Sequence, residues 1–211
     1  MLKKTLVLDY KLVLASGLHI GGGNDQFDIG GADSTVIKNP LTNEPYIPGS
    51  SLKGKLRQLL TLKYGELDGT KFKLPDPVLR SIFEPVGEED ARKGELQCSR
   101  AIFRDARLTK ESAEKLQKYL GIEVFTELKA ENSIDPLKSK AANPRFIERV
   151  PAGAEFTGQI VLQVFEGDNE KNMINYLLEA FRMLEMSYLG GSGTRGYGRI
   201  EIPDALEFKE V

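Results

Sequence analysis

Residues 17–33 read GLHIGGGNDQFDIGGAD, a stretch that can be neither helix nor strand. Six of its seventeen residues are glycine, and the rest follow neither a helical nor an alternating period. The stretch also holds His19, the only histidine of the chain, and the aspartates Asp25, Asp28 and Asp33. Glycine lets a backbone bend sharply and lie close to another surface. A loop that concentrates glycine, imidazole and carboxylate is a functional edge, and the rest of the chain has to present it.

The flanks predict how. Residues 4–15 alternate, with Leu6, Leu8, Tyr10, Leu12 and Leu14 on one face, as a β-strand leading into the loop. Ser34–Ile37 is a second short apolar piece, and 39–45 (NPLTNEP) is turn chemistry. After Pro48-Gly49, Leu52, Leu56 and Leu59 share a helical face, with Ser50 or Ser51 as the expected cap. Lys53 and Arg57 lie side by side on a neighbouring face, so the helix opens on a basic turn. An external anion at the helix start would explain them, and so would a solvated lysine face.

Further along, 66–97 is charged and proline-containing and reads as a surface insertion, with a short helix near Val78–Phe83. Arg100–Asp105 reads as a strand and Thr109–Leu120 as a helix capped by Thr109. Residues 122–150 form a second excursion carrying Lys129, Lys138, Lys140, Arg145 and Arg149, either a mobile hairpin or an arm reaching a partner. Ala154–Phe165 alternates as a strand. Asn169–Leu189 is the clearest helix, with Met173, Ile174, Leu177, Leu178, Phe181 and Leu184 on its apolar stripe, and a last strand falls near Ile200–Ile202. These elements predict an α+β fold: one antiparallel sheet with helices on one face and a ferredoxin-like, RRM-type core.

The totals narrow the function. The 211 residues make one domain with insertions, or at most two small ones. One cysteine, Cys98, and one histidine exclude an internal disulfide and argue against a Cys- or His-based structural metal site. The start of the chain alternates and carries Asp9 and Lys11, so it reads as a strand and not a signal peptide. No apolar run reaches membrane-spanning length, and the expected compartment is the cytoplasm. A net charge of −2 argues against general binding of nucleic acid by the whole surface, though not against a local basic groove.

Two nucleotide motifs fail on context. Gly49–Leu56 matches most of a phosphate-binding loop, but Leu56 stands where Ser or Thr must hold Mg²⁺, and Gly54 lies inside the helix pattern. Gly191-Ser-Gly-Thr-Arg-Gly196 has dinucleotide spacing but follows a helix, with only 15 residues after it. What remains is a glycine loop bearing Arg195, Tyr197 and Arg199. Its amides, forked guanidinium groups and a base-stacking ring suit a sugar-phosphate backbone.

GLHIGGG, GGADSTVI, IPGSSLKGKLR, ELKAENSID, PRFIERVPAGAEF and GGSGTRGYGR, taken together, resemble the RAMP superfamily of CRISPR proteins. More closely, they resemble the repeated backbone subunits, third in the Csm series, of type III-A effector complexes. The resemblance covers nearly the whole chain and departs at Pro136, where the pattern usually continues with Arg.

The resemblance implies a single domain over 1–211, with a lid-like insertion at about 66–97 and a thumb-like one at about 122–147. It implies copies stacked head to tail into a filament along a guide RNA, with other Csm subunits, including the large HD/Palm subunit, as further partners. It implies metal-dependent endonucleolytic cleavage of complementary target RNA at six-nucleotide intervals, one cut per subunit. It places the cleavage on Asp33, which is also a possible ligand for Mg²⁺ or another divalent metal. RNA contacts fall on His19, Gly21 and Gly22, on Ser50, Ser51, Lys53, Lys55 and Arg57, and on Gly191, Gly193, Arg195, Gly196 and Arg199.

Asp33 could accept the 2′-hydroxyl proton or anchor the metal. His19 is read as an RNA contact, against the alternatives of acid or packed loop residue, and Asp25 and Asp28 as solvated loop acids. The rival reading is a non-catalytic RNA-binding scaffold that positions target RNA for other subunits. A guide-processing nuclease is disfavoured, since it would ordinarily need a richer histidine set than this chain has.

Overall fold

The structure, a computed structural model, describes residues 1–22, 32–85, 98–135 and 140–211. The alternating start of the chain forms strand β1 (Leu2–Leu14), with Leu6, Leu8, Tyr10, Leu12 and Leu14 all buried on one face. Strand β2 (Tyr46–Ile47), helix α1 (Gly49–Tyr64), strands β3 (Glu66–Asp68) and β4 (Lys71–Lys73) and helix α2 (Pro77–Phe83) follow. Next come β5 (Ala101–Phe103), β6 (Ala106–Leu108), α3 (Lys110–Leu120), β7 (Glu127–Asp135) and β8 (Lys140–Arg149). The chain closes with β9 (Glu155–Phe165), α4 (Glu170–Glu185), β10 (Ile200–Glu201) and β11 (Lys209–Glu210).

The main sheet is antiparallel throughout. β1 and β9 pair along nearly their whole length at its centre. β10 and β11 both pair with the outer edge of β1, and β5 and β6 with the outer edge of β9, with β2 beyond β6. Counting β5–β6 and β10–β11 each as one interrupted strand, the chain runs βαββαβ with α1 and α4 as the crossover helices. That is the ferredoxin-like arrangement. Leu52, Leu56, Leu59 and Leu60 of α1 and Met173, Leu177, Phe181 and Leu184 of α4 pack on the leucine face of β1. Each fully buried Leu or Phe of this layer contributes about 2 kcal/mol by burial.

Thr109 caps α3 through its side chain, as expected from its place before the helix, and Asn169 caps α4 in the same way. Neither Ser50 nor Ser51 caps α1. The helix begins earlier, after Pro48, and its first amide, Gly49 N–H, donates to Asp105 Oδ1 at 2.8 Å. The cap therefore comes from the bulge between β5 and β6, across the sheet edge. α4 stops at Glu185 and not near Leu189, because Leu189 N–H turns away to donate to Gly198 O at 2.8 Å.

Both excursions contain strands. Glu66–Asp68 and Lys71–Lys73 make a short hairpin, and β7 and β8 make a long one with an irregularity between Glu131 and Ser133. Pro136 and Lys138 lie outside the described residues, as does 86–97 of the first insertion.

Candidate functional site

The two glycine-rich loops are bonded to one another. Gly198 N–H donates to Gly17 O at 2.9 Å and Gly191 N–H to His19 O at 2.8 Å. Gly190 makes the approach possible: its φ is +77° and a Cβ there would fall 2.3 Å from His19 O. The first loop is in turn seated on the end of β8, with Leu18 and Val150 exchanging backbone bonds at 2.9 and 2.8 Å.

His19 ties the loop to β8 a second time. Its Nδ1–H donates to Glu148 O at 2.6 Å, and the Ser34 hydroxyl donates to Nε2 at 3.1 Å. Both ring nitrogens are therefore occupied, and the imidazole is half-buried. To act as an acid, it would have to surrender one of these bonds.

The arm after the loop runs beside β8. Asp33 N–H donates to Phe146 O at 2.8 Å, and Phe146 N–H donates back to Asp33 Oδ2 at 2.6 Å. Glu148 N–H donates to Ser34 O at 3.0 Å. The Asp33 side chain is exposed, so its second oxygen faces solvent.

One residue along that arm of contacts, the Glu148 carboxylate is a buried hub. It accepts from Val36 N–H at 2.8 Å, from the Thr126 hydroxyl at 2.5 Å and from the Lys38 ammonium. Burial alone would raise its pKa, but the bonds from Lys38, Thr126 and Val36 outweigh burial and hold it below the ordinary carboxylate value.

The basic helix start adjoins the second glycine loop. Lys55 Nζ sits 3.8 Å from the centre of the Tyr188 ring, and burial lowers the Lys55 pKa. Gly193 packs against that same ring. Lys53 is half-buried with no acidic partner among the described residues, Ser50 is exposed and Ser51 half-buried. Arg57 turns elsewhere and pairs with Glu84 after α2.

In the loop itself Gly191, Gly196, Arg195 and Arg199 are exposed. Arg195 is held by Glu131 Oε2 at 2.9 Å and by the Ser192 hydroxyl at 2.5 Å, while Arg199 stays 3.9 Å from Glu201 at the surface.

Tyr197 does not offer a stacking face. It is 1% exposed, covered by Lys129 and Arg149, and its hydroxyl donates to Glu131 Oε1 at 2.7 Å. Burial and the Glu131 charge push its pKa up to about 12.

The structure thus brings His19, Gly21, Gly22, Asp33, Ser34 and Gly191 together along the end of β8, while Lys55 and Gly193 meet at the Tyr188 ring. Asp25 and Asp28 lie outside the described residues. Sequence reasoning missed three members: Glu131, Phe146 and Glu148. A signal was there for Glu148, since a lone acid between Ile147 and Val150 in a strand must find partners inside.

An antiparallel ferredoxin-like sheet that projects two interlocked glycine loops beside a basic helix start defines a RAMP protein. The chain belongs to the RAMP superfamily, whose family model matches residues 11–201. Within it, the chain groups with proteins named CRISPR system Cms endoribonuclease Csm3. It is 38% identical over 208 residues to the one from Methanothermobacter thermautotrophicus, covering 94% of this chain and 84% of the relative. It is 40% identical over 190 residues to the one from Streptococcus thermophilus, covering 89% and 82%.

Among solved structures, it resembles the Csm3–Csm4 subcomplex of the type III-A CRISPR-Cas interference complex. The TM-score is 0.60 at 28% identity, over 100% of this chain and 82% of that one. The type III-B Cmr-beta complex bound to cognate target RNA shares the fold, with a TM-score of 0.65 at 17% identity, over 98% of this chain and 61% of that one.

Proposed function

We propose that this chain is the repeated backbone subunit of a type III-A CRISPR ribonucleoprotein, binding guide RNA and cutting the complementary target RNA endonucleolytically. The observation that carries this is the Asp33 carboxylate. One oxygen accepts Phe146 N–H, and the residue is exposed. A phosphate-binding scaffold gains nothing from a fixed acid at that place, whereas a nuclease does.

RNA brings its own nucleophile. As the 2′-oxygen attacks the adjacent phosphorus, the O2′–P bond forms and the P–O5′ bond breaks, leaving a 2′,3′-cyclic phosphate and a 5′-hydroxyl. The free Asp33 oxygen takes the 2′-hydroxyl proton or lowers its cost through a bound cation; a positioned general base contributes about 10²–10⁴-fold. Lys53, Lys55 and the exposed Arg199 hold the backbone phosphates.

We read Asp33 as a metal ligand as well. No group of three His, Cys, Asp or Glu side chains forms a ready-made metal site among the described residues. A single carboxylate suits Mg²⁺, which keeps most of its waters and takes phosphate oxygens as ligands. When bound, such a cation supplies positive charge to the phosphorane.

Head-to-tail copies along the guide, cuts at six-nucleotide spacing, the thumb-like role of 122–147, the lid-like role of 66–97, contacts with other Csm subunits and a cytoplasmic site complete the reading. No described helix is long and apolar enough to cross a membrane.

The test is the assembled complex carrying Asp33→Ala, given guide-complementary RNA with and without divalent metal. Loss of a metal-dependent six-nucleotide ladder with intact target binding supports the assignment. Retained periodic cutting overturns it and leaves a scaffold.

A further inference from the structure

The cations around the second glycine loop differ in what holds them. Arg57 is paired with Glu84, Arg195 with Glu131 and Arg149 with Glu127, each with a carboxylate that offsets the charge it orders. Lys55 is held differently. Among the described residues its ammonium meets no acid; it donates to the neutral Gln58 Oε1 at 3.2 Å and stands 3.8 Å from the centre of the Tyr188 ring.

Tyr188 lies in the link between α4, which ends at Glu185, and Leu189, whose N–H is bonded to Gly198 O at 2.8 Å. The same ring carries Gly193, where a Cβ would fall 1.9 Å from Tyr188 Cγ. Gly193 opens the short turn Gly193–Arg195, closed by Gly196 N–H donating to Gly193 O at 2.9 Å. One ring therefore joins a cation of α1 to the second glycine loop. Its hydroxyl has no partner among the described residues, so the ring face is the working part.

A lysine that binds phosphate faces two opposed demands. A free ammonium on a four-carbon stem must be ordered when the ligand arrives, and the lost rotamer freedom weakens binding. A carboxylate partner would order it beforehand but would offset the charge that the phosphate needs. An aromatic face meets both demands: its quadrupole attracts the ammonium and leaves the full positive charge in place.

We infer that Tyr188 is a positioning residue for RNA binding: its ring holds the Lys55 ammonium, charged and unpaired, where α1 meets the second glycine loop, ready for a backbone phosphate. The inference rests on the reading of Lys55 as an RNA contact.

The experiment titrates single-stranded RNA of guide sequence onto the full chain across a salt series. The variants are Lys55→Ala, Tyr188→Leu, Tyr188→Phe and the pair Lys55→Ala with Tyr188→Leu, with thermal unfolding recorded for each. Lys55→Ala is expected to lower affinity about fourfold at about 0.15 M salt, and the slope of log affinity against log salt by about 0.7, the share of one single-strand phosphate. Tyr188→Leu should lower affinity about two- to fourfold, as loss of an exposed cation–π contact would. The pair should bind no more weakly than Lys55→Ala alone, and Tyr188→Phe, which keeps the ring, should bind like the wild type. A second measurement needs no substitution. The Lys55 side-chain methylene protons nearest the ring are shifted upfield in the NMR spectrum, and they should stay upfield when RNA is bound.

Wild-type affinity in Tyr188→Leu overturns the inference. So does a pair weaker than Lys55→Ala by the full Tyr188→Leu factor, or a Tyr188→Phe chain as weak as Tyr188→Leu. A Lys55 signal that returns to its ordinary position on RNA binding overturns it too, and decides the matter if Tyr188→Leu does not fold. If Lys55→Ala binds RNA like the wild type, the reading beneath has failed; if it is weakened while Tyr188→Leu binds normally, only the positioning role has.

Discussion

Lys38 donates its ammonium to the Glu148 carboxylate, 110 residues away in sequence, and that carboxylate also gathers Val36 N–H and the Thr126 hydroxyl. The residue is 8% exposed. Through it, the arm bearing Asp33 is fastened to the same strand that holds His19. The position of the 33–38 arm is set in part by a buried acid.

Removing one partner of a buried charged pair leaves the other unpaired, so Glu148→Ala should cost about 3 kcal/mol in urea unfolding near neutral pH. The pH response has a definite sign. The folded pKa is below the ordinary 4.5, so the stabilisation is complete above that value and is lost as pH falls through the lower folded value. Wild-type stability should fall from about pH 5 downward, and Glu148→Gln should flatten that part of the profile. An unchanged acid limb in Glu148→Gln would remove the hub from the account.

Much of the fold was legible because its signals are local. The Leu6–Leu14 alternation, the α4 stripe and the Thr109 cap each depend on neighbours within a few residues. What escaped depends on distant chain. α1 is capped by Asp105 and not by its own serines, Arg57 is taken by Glu84, and Arg195 is taken by Glu131. Tyr197 looked like a stacking ring from its loop but is closed off by Lys129 and Arg149. Phe146, in a run that reads only as strand, is left 46% exposed.

The different partners of Lys53 and Arg57 separate their roles in RNA binding. Among the described residues Lys53 has no acid beside it, whereas Arg57 is paired with Glu84. Lys53→Ala should reduce the slope of log affinity against log salt by about 0.7, one single-strand phosphate contact. Arg57→Ala should change it by less than half of that. Titrating guide-strand RNA across a salt series checks both, and equal slopes for the two variants would contradict the distinction.

Gly190→Ala should loosen the joint between the glycine loops. The new Cβ would sit 2.3 Å from the His19 carbonyl oxygen at a φ of +77°, and backbone there cannot give way cheaply. The expected cost is about 2 kcal/mol or more, read by thermal unfolding. Gly196→Ala makes the comparison: φ is +87° but no atom of the described residues lies within 4 Å of the new Cβ, so only the strain of the left-handed backbone, about 1 kcal/mol, should appear.

The Tyr10 hydroxyl is buried and finds no hydrogen-bond partner among the described residues, although its ring packs 5.3 Å from that of Phe181. An unpaired buried hydroxyl costs about 1–3 kcal/mol. Tyr10→Phe should therefore hold or raise stability in urea unfolding, and a loss above about 1 kcal/mol would mean the hydroxyl has a partner.

Asp33→Asn isolates the charge from the geometry. Asparagine keeps an oxygen where Asp33 Oδ2 accepts Phe146 N–H at 2.6 Å, so the arm should stay on β8 and the melting temperature should hold. What is lost is the negative charge on the open side, which either takes the 2′-hydroxyl proton or holds a cation. Cutting by the assembled complex should fall about 10²–10⁴-fold with target affinity unchanged. Asp33→Ala should be as inactive and also less stable by about 1 kcal/mol, since Phe146 N–H then lacks its acceptor. If Asp33→Asn cuts at near wild-type rate while Asp33→Ala does not, the side chain acts by holding Phe146 in place, and the proton or metal role is wrong.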